Sequence, residues 1–190
     1  MAKKIPNIVK EIRNNPPTPL NYAYQKNVSY SQMNIFRGCP HRWKLQYKDK
    51  IKRFTSSIHT VFGTAVHEAM QHYLDVAYEK SFAAADRDIN MEEYFQQAYI
   101  TEYQSQYKSN KNSHFSDAEE MREFFEDGVA ILEWFKKKRS AYFSKKGTYL
   151  VGCEIPIIIA PNKALNNVLY MGYLDVVTYH EATETFKIID

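Results

Sequence analysis

Two aspartates, Asp175 and Asp190, lie in apolar segments that a single short turn joins. A hairpin folded between residues 182 and 183 places the two side chains directly opposite one another. Opposed residues on paired strands project from the same face with Cβ atoms about 5 Å apart, and like charges there destabilise the pair. Their alternate neighbours are apolar, and a lone charge on an apolar face is costly. A bound divalent cation would compensate both carboxylates, so the pattern indicates a metal site.

The register of this hairpin decides the interpretation. A shift of one residue would direct the two carboxylates to opposite faces, and no Asn-Gly or Asp-Gly pair in the turn fixes the pairing. The alternative is that Asp175 or Asp190 simply ends a strand and meets solvent or a backbone amide. The two aspartates alone favour neither interpretation.

A third candidate ligand, His67, lies on a predicted helix that begins near Ser57. Apolar residues recur along this helix with a period of about 3.6 residues, and His67 falls at the margin of the apolar stripe. Gly63 precedes it by one turn on the same side, where glycine costs about 1 kcal/mol relative to alanine. The glycine would clear space beside the imidazole for an ion or a phosphate backbone. The alternative is a solvated surface histidine next to an incidental glycine.

The segment from His67 to His72 is not a zinc-protease motif. In that motif the two histidines are four positions apart and share one ion, whereas these two are five apart and point about 140° apart around a helix.

Glu154 is a secondary candidate for the metal site. Strict alternation puts it on a strand face with Gly152 and Pro156, while the apolar side chains lie on the other face. A glutamate on a polar strand face is usually a surface residue.

The 190-residue chain is long enough for one domain with a substantial core, and its formal net charge of +3 does not by itself indicate nucleic acid. Basic residues crowd segments 42–53 and 136–146, and such runs are usually solvated helix faces. The two cysteines, Cys39 and Cys153, are predicted to be small buried hydrophobic residues. No secretory signal or membrane-spanning run is recognisable, so a soluble protein of a reducing compartment, the cytoplasm, is expected.

Element patterns predict an α+β fold with a helix-rich N-terminal half and an antiparallel three-strand meander. Residues 1–28 are expected to form an extended arm because of their proline-rich segment, and residues 29–190 a single domain. Caps and periodicity predict helices at residues 31–37, 41–48, 57–79, 91–108 and 116–142. The predicted strands are residues 149–159, 168–179 and 185–190. Because no turn or helix follows the last strand, the sheet is expected to be incomplete at the C-terminus.

Four segments, in this order, resemble motifs of the RecB-type PD-(D/E)XK nucleases. Residues 29–44 are similar to the family's opening segment with Ser-x-Ser and Cys-Pro, and Phe62-Gly-Thr-Ala-Val-His67 resembles its Phe-Gly-x-x-x-His motif. The segment that ends at Asp175 resembles Gly-x-x-Asp, and the one that ends at Asp190 resembles the start of Ile-x-Asp-Tyr-Lys-Thr. The matches span residues 29–190 and are fairly specific together.

The resemblance implies a restriction-endonuclease-like α/β core and a metal-dependent nuclease, with His67, Asp175 and Asp190 as ligands for Mg²⁺ or Mn²⁺. It also aligns Glu154 with a glutamate that often precedes the aspartate motif, which makes Glu154 a further catalytic candidate. The family's catalytic lysine would stand two residues after Asp190, so the 190-residue chain is expected to be weakly active or inactive. Cys39 matches the early cysteine of relatives with an iron–sulfur cluster, but the late cysteines are absent, so the sequence does not support a cluster.

The expected function is hydrolysis of DNA by a deoxyribonuclease, and by the resemblance an exonuclease, in recombination, repair or phage DNA processing in a bacterial or phage-infected cell. Its expected DNA contacts are basic and aromatic side chains that bind phosphates and stack on single strands or duplex ends. These residues are Arg42, Trp43, Lys44, Lys48 and Lys52. The alternative is a non-enzymatic helical module that binds nucleic acid or a partner protein, with structural aspartates.

Overall fold

The chain divides into a sheet unit and a helical unit. The computed structural model describes residues 5–16, 26–51, 56–143, 145–159 and 168–189. The sheet unit comprises residues 1–53 and 151–190, and the helical unit comprises residues 54–150. Helices precede most of the strands along the chain, so the predicted α+β class with a helix-rich N-terminal half is confirmed.

The helices and strands match most of the predicted ones to within the one or two residues by which element ends normally differ. The helices in the described ranges are α1 (Asn7–Asn14), α2 (Tyr30–Gly38), α3 (Pro40–Trp43), which continues into a π-helical turn (Lys44–Lys48), α4 (Ile58–Glu79), α5 (Phe82–Asp88), α6 (Met91–Ser109) and α7 (Ala118–Tyr142). The strands there are β1 (Lys26–Ser29), β2 (Thr148–Ile159), β3 (Val168–His180) and β4 (Thr185–Ile189). Within these ranges no helix has the combination of length and apolar character that a membrane crossing would require.

The sheet is built on β3. Its first half pairs in parallel with β1, its second half pairs antiparallel with β4, and β2 is a further neighbour. The antiparallel register sets Val176 opposite Ile189 and Val177 opposite Ile188. This is the hairpin register predicted from the sequence, the one that pairs Asp175 with Asp190, although Asp190 itself lies outside the described residues.

The predicted extended arm is wrong for residues 7–14, which form α1. Two observations show that α1 packs within the sheet unit. Val9 is fully buried at 0 % exposure, and the Nε of Arg13 donates a hydrogen bond to the backbone oxygen of Val151 over 3.1 Å. At the end of the predicted arm, β1 adds a fourth, parallel strand to the predicted three-strand meander.

Close packing of α6 against α7 forms part of the core of the helical unit. Phe95 on α6 is fully buried at 0 % exposure and stacks on Phe125 of α7 with ring centroids 5.4 Å apart. Gly128 lies nearby on α7, and a Cβ built on it would be 2.2 Å from the Cζ of Phe95. The Phe95 ring therefore occupies the volume that any side chain at position 128 would need.

A polar cluster around Asp86 joins α4, α5 and α7. The hydroxyl of Tyr73 donates to Oδ1 of Asp86 over 2.8 Å, and Arg139 donates to the other carboxylate oxygen. The Nζ of Lys136 lies 4.0 Å from Oδ1 of Asp86. Buried polar groups are costly unless they are paired, so this cluster fixes the short helix α5 against the two longer ones.

Buried tyrosines make the helical unit sensitive to alkali. Burial raises the pKa of Tyr99 from 10.0 to about 12, and burial also raises the pKa of Tyr73. An unfolded chain releases the phenolic proton at about pH 10, whereas the native state retains it, so the native state binds more protons above that pH. The free energy of unfolding is therefore expected to fall as pH rises from about 10 to about 12. Urea titrations at successive pH values measure this slope.

The Tyr99→Phe variant is expected to flatten that slope, even though it also loses the hydrogen bond from the hydroxyl to the backbone oxygen of Met121 (3.2 Å). Tyr30→Phe is the matched control, because it removes the same hydroxyl from a side chain that is 72 % exposed. An identical slope in the wild type and in Tyr99→Phe would contradict the prediction.

Candidate metal centre

Asp175 lies in β3 immediately before the segment that pairs with β4. Asp175 is half-buried. On its face of the strand, Val177 is 5 % exposed, whereas Tyr173 is 58 % exposed, and Ile188 of β4 is 56 % exposed. The predicted apolar face is thus covered on one side of Asp175 and open on the other. Desolvation of this carboxylate is correspondingly smaller than the sequence pattern indicated.

Glu154 interrupts the regular alternation of β2. Its φ is +50°, a left-handed conformation that costs a residue other than glycine about 1–2 kcal/mol. Regular alternation would put residues 152 and 155 on opposite faces, but a Cβ on Gly152 would lie 3.2 Å from Cγ1 of Ile155. The two positions therefore share a side, as they do at a β-bulge, which redirects the neighbouring side chains. The strict alternation on which the prediction for Glu154 rests does not hold in this strand.

The carboxylates of Glu154 and Asp175 approach one another within the sheet unit. A carboxylate oxygen of one lies within 4.8 Å of a carboxylate oxygen of the other. Mg²⁺ with ligands at about 2.1 Å holds oxygens up to about 4.2 Å apart, so the pair needs little movement to bind one ion. Backbone strain at Glu154 and a like-charged neighbour are costs that proteins retain mainly at functional sites. The two carboxylates of Glu154 and Asp175 are ligands suited to a hard divalent cation.

His67 is the imidazole ligand that the sequence predicts. It is exposed on α4 of the helical unit, next to the buried residues Val66 and Ala69, as the margin position predicts. A Cβ on Gly63, one turn earlier, would meet no atom within 4 Å, so the space on that side of the helix is open. Of the predicted ligands, His67 thus belongs to the helical unit and Asp175 to the sheet unit.

An aromatic ladder lies at the predicted DNA-binding segment. Trp43 stacks on Tyr47 with ring centroids 6.4 Å apart, and Phe36 meets Trp43 edge-on at 5.5 Å. Neither α2, α3 nor the π-helical turn contains a buried residue. π-Helical turns are rare and often mark functional sites. This segment therefore presents aromatic rings on a surface rather than in a core.

Basic side chains accompany this ladder. Arg42 and Lys48 are exposed, while the Nζ of Lys44 lies 3.6 Å from Oδ2 of Asp49. Exposed ion pairs of this kind contribute little stability, so Lys44 can exchange its partner for a phosphate at small cost. The fifth predicted DNA contact, Lys52, lies outside the described residues.

Cys39 is exposed, so the prediction that it is a buried hydrophobic residue is wrong. It is the N-cap of α3, where its Sγ accepts a hydrogen bond from the backbone N–H of Arg42 at 3.4 Å. A small polarisable side chain at an N-cap can replace the usual serine or aspartate. Cys153 is half-buried.

The family model of the PD-(D/E)XK nuclease superfamily matches residues 27–190. The chain belongs to this superfamily, as the four sequence motifs predict. No curated protein and no solved structure matches the sequence. Nucleases of this superfamily use divalent metals, and the approach of the carboxylates of Glu154 and Asp175 agrees with that chemistry. Membership indicates a nuclease that acts on a nucleic acid.

Proposed function

We propose that the protein is a metal-dependent deoxyribonuclease, and more specifically an exonuclease of the RecB type that acts in recombination, repair or phage DNA processing in the cytoplasm. The approach of Glu154 and Asp175 within 4.8 Å carries this proposal. It supplies two oxygen donors of the kind that Mg²⁺ and Mn²⁺ prefer. Family membership supports phosphodiester hydrolysis as the reaction class.

The proposed ligands of the ion are His67, Asp175 and Asp190. When bound, a divalent ion lowers the pKa of a bound water and stabilises charge on phosphate oxygens. Asp175 of β3 and Asp190 would bind the ion together, as the sequence predicts. Glu154, at the bend of β2, would accept a proton from an attacking water or complete the donor set. An imidazole donor from His67 shifts the preference of the site toward Mn²⁺.

DNA binding is proposed for the surface that carries Trp43, Arg42, Lys44 and Lys48, extended by Lys52. Aromatic rings stack on unpaired bases of any sequence, and cations bind the phosphate backbone between them. Such a surface favours single strands or frayed duplex ends over the interior of a duplex, because base faces are accessible only there. This preference agrees with an exonuclease.

Hydrolysis of end-labelled linear DNA in the presence of Mg²⁺ or Mn²⁺ tests the proposal. Hydrolysis by the purified protein is expected to be weak, as the sequence predicts; any that occurs should release nucleotides from linear single- or double-stranded substrates, spare covalently closed circles and stop in EDTA. Binding of Mn²⁺, followed by electron paramagnetic resonance, gives a readout that does not depend on turnover. A protein that binds DNA but neither binds Mn²⁺ nor hydrolyses any substrate would instead be a non-enzymatic nucleic-acid-binding module.

A further inference from the structure

The C-terminal half of α7 exposes a line of large apolar side chains. Ile131, Trp134 and Tyr142 are 39 %, 53 % and 45 % exposed. With Lys138 they occupy one face of the helix, because residues spaced by three, four and four positions lie above one another. We call these four residues the α7 stripe. Large exposed aromatic residues grouped in this way usually mark a binding surface.

The two rings of the stripe form one aromatic patch. The ring centroids of Trp134 and Tyr142 are 6.4 Å apart with an interplanar angle of 45°. The adjoining face of the helix supplies the core, since Leu132 and Phe135 are 2 % and 7 % exposed. The stripe therefore lies along the edge of the core, with its rings exposed.

The charge around the stripe is strongly positive. Residues 131–146 contain six cations and one acid. Lys136 and Arg139 are engaged with Asp86, and the Nζ of Lys137 lies 3.3 Å from Glu133. In the part of the chain that the structure describes, no ion pair involves the remaining cations, Lys138, Lys145 and Lys146. Cations near a helix C-terminus offset the helix dipole, but that effect does not account for the exposed rings beside them.

We propose that the α7 stripe binds single-stranded DNA, with bases stacked on Trp134 and Tyr142 and phosphates bound by Lys138, Lys145 and Lys146. The inference rests on the proposed function for the identity of the ligand as DNA. Aromatic rings interleaved with cations match both the π-faces of unpaired bases and the charge of their backbone. An apolar protein partner would match the rings alone and not the three exposed lysines of the same segment. A duplex would match only the lysines, because its base faces are stacked inside.

Tryptophan fluorescence can test this surface separately from the basic segment, because the chain contains two tryptophans. The Trp43→Phe variant retains Trp134 as the sole indole, and the Trp134→Phe variant retains Trp43. Each is titrated with a single-stranded oligothymidylate in EDTA, so that neither metal binding nor cleavage contributes. Quenching of Trp134 emission in the first variant is the expected result. An unchanged Trp134 emission with a quenched Trp43 would overturn the inference and leave the proposed function intact.

Alanine variants give the energetic test in otherwise wild-type protein. Trp134→Ala is expected to weaken oligothymidylate binding about 5- to 100-fold, since stacking on one aromatic residue contributes that much, whereas Trp134→Phe should retain most of the affinity. Lys138→Ala should lower the slope of log affinity against log salt by about 1. Lys108→Ala is the matched control, because Lys108 is an exposed lysine near the end of α6 outside the stripe. If Trp134→Ala and Lys138→Ala bind DNA like Lys108→Ala, the α7 stripe is a surface for something other than DNA.

Failure of the proposed function would look different. In that case neither tryptophan responds to DNA, and wild-type protein has no measurable affinity for the oligothymidylate. If both tryptophans respond but Mn²⁺ does not bind, the α7 stripe is supported, and the metal-dependent chemistry is rejected.

Discussion

Asp175→Asn is expected to abolish metal binding by the protein, and with it any metal-dependent hydrolysis. Whatever DNA hydrolysis the 190-residue chain supports should fall by at least about 100-fold, since even residues that only support metal ligands cost 10–100-fold when they are mutated. The substitution removes one charge and keeps the shape of the side chain, so the fold of β3 should survive. Thermal unfolding with and without Mn²⁺ provides a second measurement. At a concentration of 100 times its dissociation constant, a ligand stabilises the native state by about 2.7 kcal/mol, and this gain should vanish in the variant.

A matched control for Asp175→Asn is Asp127→Asn. Asp127 is an exposed carboxylate on α7, so its loss changes the net charge of the protein by the same amount without touching the donor set. The control should retain both Mn²⁺ stabilisation and hydrolysis. The metal assignment fails if Asp175→Asn is still stabilised by Mn²⁺ to the same extent as Asp127→Asn.

The β3–β4 hairpin shows what the sequence can establish about this site. Two strand-length apolar segments separated by a five-residue connection allow few registers, and the structure has the predicted one, with Val177 opposite Ile188. The position of His67 was similarly predictable, because the 3.6-residue period of a long amphipathic helix fixes which positions are buried. Local periodicity carries this information without any long-range contact.

Glu154 shows where such reasoning is incomplete. Strict alternation along a strand puts Glu154 on a surface face, and Glu154 is exposed, but alternation does not predict its approach to Asp175. The left-handed backbone at Glu154, with φ of +50°, breaks that rule and is not encoded by a glycine or asparagine that would announce it. The nearby Gly152 was the available signal, because an isolated glycine within a strand often accompanies a bulge.

The short elements were missed for a related reason. β1 has four residues and α5 has seven, too few for a period to become visible, and β1 exists through its parallel pairing with a segment more than a hundred residues away. The side chain of Ser81 accepts a hydrogen bond from the backbone N–H of Ala84 at 3.0 Å, so an N-cap signal for α5 was present. Helices this short depend mainly on tertiary contacts, here the cluster around Asp86.

Gly128→Ala is expected to destabilise the helical unit by about 1–3 kcal/mol, the usual cost of overpacking a core. The new Cβ would lie 2.2 Å from Cζ of Phe95, and the ring has no room to move. It stacks on Phe125 at 5.4 Å and also contacts Tyr99 and Phe62, with centroids at 5.6 Å and 6.5 Å. Urea unfolding followed by far-ultraviolet circular dichroism measures the loss.

The same substitution at Gly63 should have the opposite sign. A Cβ at Gly63 meets no atom within 4 Å, so Gly63→Ala should raise the free energy of unfolding by up to about 1 kcal/mol from helix propensity alone.

Phe95→Leu provides the complementary test for Gly128→Ala, because it removes the ring atoms that occupy the space above Gly128. The Gly128→Ala/Phe95→Leu double variant should be more stable than the sum of the single effects predicts, with a coupling of about 0.5–3 kcal/mol. Additive effects would mean that the two helices separate to admit the alanine, and the close approach of α6 and α7 would then not depend on glycine at position 128.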